Sequence, residues 1–128
     1  MGRLWPWWMI LTGSLFGATQ NAIHPIRLTG RFDPAIIEAH AGDSLRFVLT
    51  SGGPHNVEFV VDSIPAPMRA VLERAMPGDK IGPLSSPLLI TTGETYAFKV
   101  PNLEPGRYPF VCLPHLTNNM RGVLIILR

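Results

Sequence analysis

Short segments in which apolar and polar residues alternate are the clearest pattern along this chain. In residues 44–50, Leu45, Phe47 and Leu49 occupy every second position, which is typical of a strand with one buried face. A similar alternation marks residues 55–61, while residues 123–127 are continuously apolar, as in a central strand covered on both faces. The remaining strand candidates are residues 23–28, 32–38, 88–91, 95–100 and 108–112.

These segments predict an all-β domain. Thirteen prolines and twelve glycines punctuate the intervals between them, and both residue types favour turns. Seven to eight short strands in a single small domain are typical of a Greek-key β-sandwich.

Residues 66–76 break the strand pattern. Met68, Val71, Leu72 and Ala75 recur at helical spacing, which predicts one short amphipathic helix inserted in the sandwich. Pro67 suits a first helical turn, and the Pro-Gly pair at residues 77–78 ends the helix. We therefore interpret Met68 and Met76 as structural residues.

Residues 1–22 differ from the rest of the chain. Arg3 precedes an almost uncharged apolar run over residues 4–18, which is shorter than the roughly 20 residues of a bilayer span but fits a signal-peptide core. The sequence thus predicts a signal peptide in residues 1–22, with an uncleaved membrane tether as the alternative, and one domain in residues 23–128. An exported protein, periplasmic or extracellular, is the expected outcome.

Composition narrows the functional classes. The chain has 128 residues, a formal net charge of +2 and one cysteine, so an intramolecular disulfide is excluded. No basic cluster suggests nucleic-acid binding. A monomer is the default expectation.

The candidate chemistry lies near the C-terminus, in the spacing Cys112-x2-His115-x4-Met120. Upstream, His55 stands at the mouth of a predicted strand. One thiolate, two imidazoles and one thioether are the ligand set of a blue-copper site, and Pro114 stiffens the loop that carries three of them. The other two histidines, His24 and His40, have no neighbouring ligand-type residue at useful spacing and are expected at the surface.

With these residues the chain resembles the small cupredoxins of the plastocyanin and pseudoazurin group, over roughly residues 23–128. The resemblance implies a cupredoxin-like fold and one type 1 copper ion cycling between Cu(I) and Cu(II). It assigns His55 and His115 as equatorial nitrogen ligands, Cys112 as the short sulfur ligand and Met120 as the long axial ligand.

The same resemblance implies roles for residues around the ligands. Asn56 corresponds to a residue that hydrogen-bonds to the cysteine-bearing loop, and Gly53 lies where some relatives bring a backbone carbonyl toward copper. Family members expose a histidine edge through an apolar patch, which here would comprise Pro54, Pro114 and Leu116 around His115. Residues 116–119 depart from the small residues common there, although asparagine tolerates left-handed backbone conformations.

Four protein ligands leave no open coordination position, whereas catalytic metal sites usually keep one. The expected function is therefore not enzymatic: the protein passes single electrons between a redox donor and an acceptor. A copper carrier or delivery protein with the same ligands is the alternative. Copper oxidases and nitrite reductases need additional histidines, binuclear copper sites need two cysteines, and a thiol enzyme built on Cys112 and His115 lacks a further catalytic partner.

Overall fold

The computed structural model describes residues 21–128. The predicted N-terminal segment, apart from Asn21 and Ala22, lies outside the described residues. The strands are β1 (Ile23–Leu28), β2 (Phe32–Asp33), β3 (Ile36–Ala39), β4 (Ser44–Leu49), β5 (Glu58–Phe59), β6 (Thr95–Lys99), β7 (Gly106–Val111) and β8 (Arg121–Ile126). One α-helix, α1 (Ala66–Ala75), and two 3-10 segments, Val61–Ser63 and Leu113–Asn118, complete the regular structure.

Two four-stranded sheets form the sandwich. The first has the strand order β2-β1-β4-β6 and the second β3-β8-β7-β5. Each sheet is mixed, because β1 runs parallel to β4 and β3 runs parallel to β8, whereas the other neighbours are antiparallel. Eight strands and one short helix confirm the predicted fold class.

The alternation in β4 places its apolar residues in the core. Leu45, Phe47 and Leu49 are at most 1% exposed, and Arg46 between them faces solvent. Phe47 meets Phe110 of the opposite sheet edge to face, with ring centroids 5.8 Å apart, and Phe32 meets Phe110 at 4.8 Å. Edge-to-face pairs of this kind add about 0.5–1.5 kcal/mol each to the burial of the rings.

The segment predicted as one strand over residues 32–38 is two strands in different sheets. Phe32 pairs with Leu28 of β1, whereas Ile36 pairs with Val123 of β8. Pro34 stands between the two strands and has no N–H for a ladder hydrogen bond, so the chain changes sheets there.

The strands predicted at 55–61 and 88–91 are also shorter than expected. Only Glu58–Phe59 forms a strand in the first, and the second contributes an isolated bridge between Leu89 and His55. The ladder is interrupted because the Val57 N–H donates to the Ser86 hydroxyl at 2.9 Å instead of to a strand carbonyl.

The helix α1 packs on the sandwich as predicted. Leu72 is fully buried, and the partly buried Met68, Val71 and Ala75 contact the core. Beyond the helix, the Tyr96 hydroxyl donates to the Pro77 carbonyl at 2.8 Å and holds the chain against β6. Within residues 21–128 no helix is long and apolar enough to span a membrane.

His24, expected at the surface, is only partly exposed and is paired with a buried carboxylate. Its Nε2 lies 2.9 Å from Asp43 Oδ2, and the two side chains are 25% and 6% exposed. Asp43 also accepts the backbone N–H groups of Ala22 at 3.0 Å and His40 at 3.0 Å. The His24 ring thus covers a buried carboxylate where β1 and β4 begin. The other histidine, His40, is exposed as expected.

Candidate metal centre

The four predicted ligands lie at the end of the sandwich opposite Asp43. β1 and β4 both run toward this end, since Leu28 pairs with Leu49 where the two strands finish. β7 ends there at Val111 and β8 begins there at Arg121. The loop between β7 and β8 carries three of the ligand candidates, and the segment after β4 carries the fourth, His55.

The loop from Cys112 to Met120 is closed by its own backbone hydrogen bonds. The Cys112 N–H donates to the Met120 carbonyl at 3.0 Å, and the N–H of Met120 donates to the His115 carbonyl at 3.3 Å. Asn119 adopts a left-handed conformation with φ of 59°, which asparagine tolerates better than most residues. These bonds fix the spacing of Cys112, His115 and Met120 before any metal is added.

His55 is held by both its backbone and its ring. It exchanges two backbone hydrogen bonds with Leu89, of 2.9 and 2.8 Å, and its Nε2 lies 2.7 Å from the Ser51 carbonyl oxygen. Because a carbonyl oxygen only accepts, Nε2 carries the proton and Nδ1 keeps a free lone pair. That Nδ1 faces the Cys112 sulfur at 3.6 Å.

The three strongest donors converge on one point. Cys112 Sγ lies 3.4 Å from His115 Nδ1, and the donor atoms of His55, Cys112 and His115 all lie within 4.8 Å of one another. Two donors bound at about 2.0 and 2.3 Å to one first-row ion, at a tetrahedral angle, are about 3.5 Å apart. The sulfur–nitrogen distances therefore fit a single ion between these side chains. Met120, 1% exposed, lies beside this cluster through its backbone bonds to Cys112 and His115.

Burial keeps two of the donors neutral in the absence of a cation. Desolvation raises the pKa of the Cys112 thiol, although the backbone N–H groups of Asn56 and His115 oppose the shift. Desolvation also lowers the pKa of His55; the Ser51 carbonyl opposes that shift, and the nearby His115 reinforces it. A neutral imidazole is ready to ligate, whereas the thiol releases its proton only when a cation replaces it.

Asn56 connects the two ligand-bearing segments. It is fully buried, and its Oδ1 accepts the Leu113 N–H at 2.7 Å. Its Nδ2 is the buried side-chain donor without a hydrogen-bond partner among the described residues. Gly53 lies against Leu49 and the Ile90 carbonyl, so that a Cβ at this position would come within 3.0 Å of Leu49 Cδ1.

The residues predicted to form an apolar rim around His115 reach the protein surface. His115 is partly exposed while His55, Cys112 and Met120 are buried. Of the predicted rim residues, Pro54 and Pro114 are exposed and Leu116 is 40% exposed.

The sequence did not single out several residues of this end of the molecule. Leu113 is 45% and Ile90 67% exposed, and each adds apolar surface near the rim. Ser86 is fully buried and clamps Val57, two residues after His55. Its Oγ accepts the Val57 N–H at 2.9 Å, and its own N–H donates to the Val57 carbonyl at 2.8 Å. These contacts join residues about thirty positions apart, so no local sequence pattern predicts them.

The sequence profile of copper-binding proteins of the plastocyanin/azurin family matches residues 28–127. The chain belongs to this family. Plastocyanin from Lactuca sativa is 36% identical over 95 residues, which cover 74% of this chain and 86% of that protein. The chloroplastic plastocyanin of Pisum sativum is also 36% identical over 95 residues, or 74% of this chain, which span about half of its own length, 51%.

Solved structures agree with this membership. Oxidized plastocyanin from Dryopteris crassirhizoma superposes with a TM-score of 0.61 at 27% identity, covering 80% of this chain and 99% of that one. An auracyanin from Roseiflexus castenholzii shares the fold, with a TM-score of 0.55 at 22% identity over 87% and 100% of the two chains. Copper is thus the metal of this plastocyanin-like domain, whose His55, Cys112, His115 and Met120 are arranged as a type 1 site.

Proposed function

We propose that His55, Cys112, His115 and Met120 ligate one copper ion, and that this blue-copper electron carrier serves redox proteins outside the cytoplasm. The observation that carries the proposal is the convergence of three donors within 4.8 Å, of which His115 alone is partly exposed. Bound copper supplies a one-electron couple between Cu(I) and Cu(II).

The surrounding residues suit that task because they hold the donors still. Electron transfer is faster when ligands barely move between the two oxidation states. Here the Ser51 carbonyl orients the His55 ring, and the hydrogen bond from Leu113 to Asn56 ties the ligand loop to the strand segment of His55. Hydrogen bonds of this kind fix ligand orientation and tune the metal. Four protein ligands leave no place for a substrate, so we assign no enzymatic reaction.

His115 is the proposed point of electron entry and exit. Its ring is partly exposed, and the proposed rim residues Pro54, Pro114 and Leu116 are exposed apolar side chains that a redox protein can cover without burying an unpaired charge. We infer a transient complex of two monomeric proteins at this rim. In that complex the edge of the His115 ring lies between the copper site and the partner's redox centre.

Copper delivery is the competing function of the same ligands. Electron carriage requires that the metal stay bound through many cycles, whereas delivery requires its release. The test is to challenge the Cu(I)-loaded protein with a Cu(I)-selective chelator such as bathocuproine disulfonate. Retention of copper over repeated oxidation and reduction supports electron carriage, and loss to the chelator within one cycle supports delivery.

Export is proposed from the apolar run in residues 4–18, with residues 1–22 acting as a signal peptide or as a membrane tether. The related plastocyanin of Pisum sativum is chloroplastic, which supports a location outside the cytosol for this domain as well. Mass spectrometry of the protein recovered from its native host distinguishes the two: a chain beginning near residue 23 was exported and cleaved, and an intact membrane-associated chain is tethered.

A further inference from the structure

The outer face of the sheet β3-β8-β7-β5 carries a groove that the copper site does not use. Its volume is about 520 Å³. Its floor is a cross-strand row in which Val123 of β8 stands between Ile36 of β3 and Pro109 of β7. Ile36 is 63% exposed, so apolar surface lies open to solvent along this row.

Two arginines stand at opposite ends of the groove. Arg107 lies opposite Ile125, and Arg121 lies opposite Val111. Because strands rise about 3.4 Å per residue, the four positions from 107 to 111 separate the two arginines by about 14 Å along the sheet. Arg121 Nε donates to the Asn119 side chain at 2.7 Å, and neither arginine has a carboxylate partner within the described part of the chain.

The nearest carboxylates do not neutralise this pair. Glu58 lies on β5, the strand next to β7. Its carboxylate is directed toward Gly82, where a Cβ would come within 2.7 Å of Glu58 Oε1. Glu38 lies opposite Ile125, two strands from Arg107, and does not line the groove. Asp62 precedes the lining residue Ser63 but is itself outside the lining.

We propose that this groove docks an extended acidic segment of a protein partner. In an extended chain, side chains two residues apart share a face and those four apart are separated by about 14 Å. A segment with carboxylates at its first and fifth positions and an apolar side chain at the third matches Arg107, the Val123 row and Arg121. The inference rests on the proposed function, because it gives the chemistry of one redox partner.

The groove would bring that partner beside the ligand loop. Val111 lines it and directly precedes Cys112. The partner would thus be held on the sheet face by charge and apolar contact, separately from the rim at His115. Complementary charges at the edge of an interface mainly set the encounter rate and the choice of partner.

The test uses the full-length copper-loaded protein, ¹⁵N-labelled and reduced with ascorbate, titrated with the peptide acetyl-Glu-Thr-Val-Thr-Glu-amide at low salt. We expect saturable amide shifts at Ile36, Val111 and Val123. In the double variant R107E/R121E the peptide should bind about tenfold more weakly. The matched control R46E/K99E reverses two charges on the outer face of the other sheet and should bind as the parent does. A peptide with glutamine in place of both glutamates should not bind.

Shifts confined to Leu116 and His115, or equal binding by the two double variants, would overturn the proposal. So would binding to anionic phosphatidylglycerol vesicles with no response to the peptide, since the groove would then serve a membrane. The visible spectrum of each protein after oxidation distinguishes failure of the docking proposal from failure of the proposed function. A blue band without peptide binding removes the docking site alone, and the absence of a blue band in the parent removes the proposed function.

Discussion

The Asn56 side chain accepts a hydrogen bond of 2.7 Å from the backbone N–H of Leu113, and these residues directly follow His55 and Cys112 in the chain. One bond between the two ligand-bearing segments therefore sets the distance between a buried imidazole and a buried thiol. It joins positions 57 residues apart, just beyond the ladder in which Glu58 of β5 pairs with Val111 of β7.

Replacing Asn56 with alanine should loosen this connection. The Leu113 N–H would lose its partner inside the protein, which costs about 1–3 kcal/mol. Urea unfolding of the copper-free protein measures the loss, and a shift of the blue absorption band reports the change at the metal. Asn102→Ala, at an exposed turn, is the matched control. Equal stability and equal spectra of the two variants would show that the bond has no such role.

Met120→Leu should retain copper and raise the reduction potential. Leucine replaces an electron-donating axial ligand with an apolar side chain, which leaves the more highly charged Cu(II) less stabilised, while the two nitrogens and the Cys112 sulfur remain to hold the ion. A tenfold change in the relative affinity for the two oxidation states corresponds to about 59 mV for one electron. Cyclic voltammetry measures the shift. An unchanged potential would argue against axial ligation by Met120.

His115→Ala should leave the fold intact and slow electron exchange with protein partners severely. The ring is the partly exposed donor, and its loss separates the site from the apolar rim. Stopped-flow reduction by a redox protein measures the rate, with Leu116→Ala as a milder change at the same surface. An unchanged electron-transfer rate of the copper-loaded His115 variant would show that electrons leave the protein through another part of its surface.

Gly122→Ala should destabilise the sandwich near the site. A Cβ at Gly122 would lie 2.5 Å from Phe110 Cζ and 2.9 Å from the Ala35 carbonyl oxygen. Overpacking of this kind typically costs about 1–3 kcal/mol. Gly30→Ala is the control, because nothing lies within 4 Å of its added methyl group. Thermal unfolding compares the two, and equal melting temperatures would contradict the packing described here.

Stability should fall in acid through Asp43. Its hydrogen bond with His24 and the backbone N–H of His40 lower its pKa from 3.8 to about 2, although burial opposes them. A carboxyl whose pKa is lower in the folded state stabilises the fold above its unfolded pKa, and this contribution disappears as pH falls from 3.8 toward 2.

The copper-free protein and its Asp43→Asn variant separate this effect from loss of the metal. The variant should be less stable near neutral pH by about 1–3 kcal/mol, and the difference should narrow as the pH is lowered through that window. If the difference in stability between the two proteins is the same from neutral pH to pH about 2, protonation of Asp43 is not coupled to unfolding.

The sequence predicted what depends on short spacings. The cysteine, histidine and methionine of the loop 112–120 are close in the chain, so their convergence followed from one tight turn between two strands. Likewise, the alternation in β4 and the helical spacing around Leu72 depend only on residues a few positions apart in the chain.

What the sequence missed depends on contacts between distant segments. Three features can be recognised only once the topology is known. They are the change of sheet at Pro34, the hydrogen bonds between Ser86 and Val57, and the pairing of His24 with Asp43. The same holds for the groove between Arg107 and Arg121, since strand register brings the two together.

The most direct test of the central claim is the visible absorption spectrum of the protein after Cu(II) is added, followed by ascorbate and then reoxidation. The account predicts an intense blue band that bleaches on reduction, returns on oxidation and is absent from Cys112→Ser. A protein that binds copper without the band, or a Cys112→Ser variant that keeps it, would contradict the assignment of Cys112 as the sulfur ligand of a type 1 electron-transfer site.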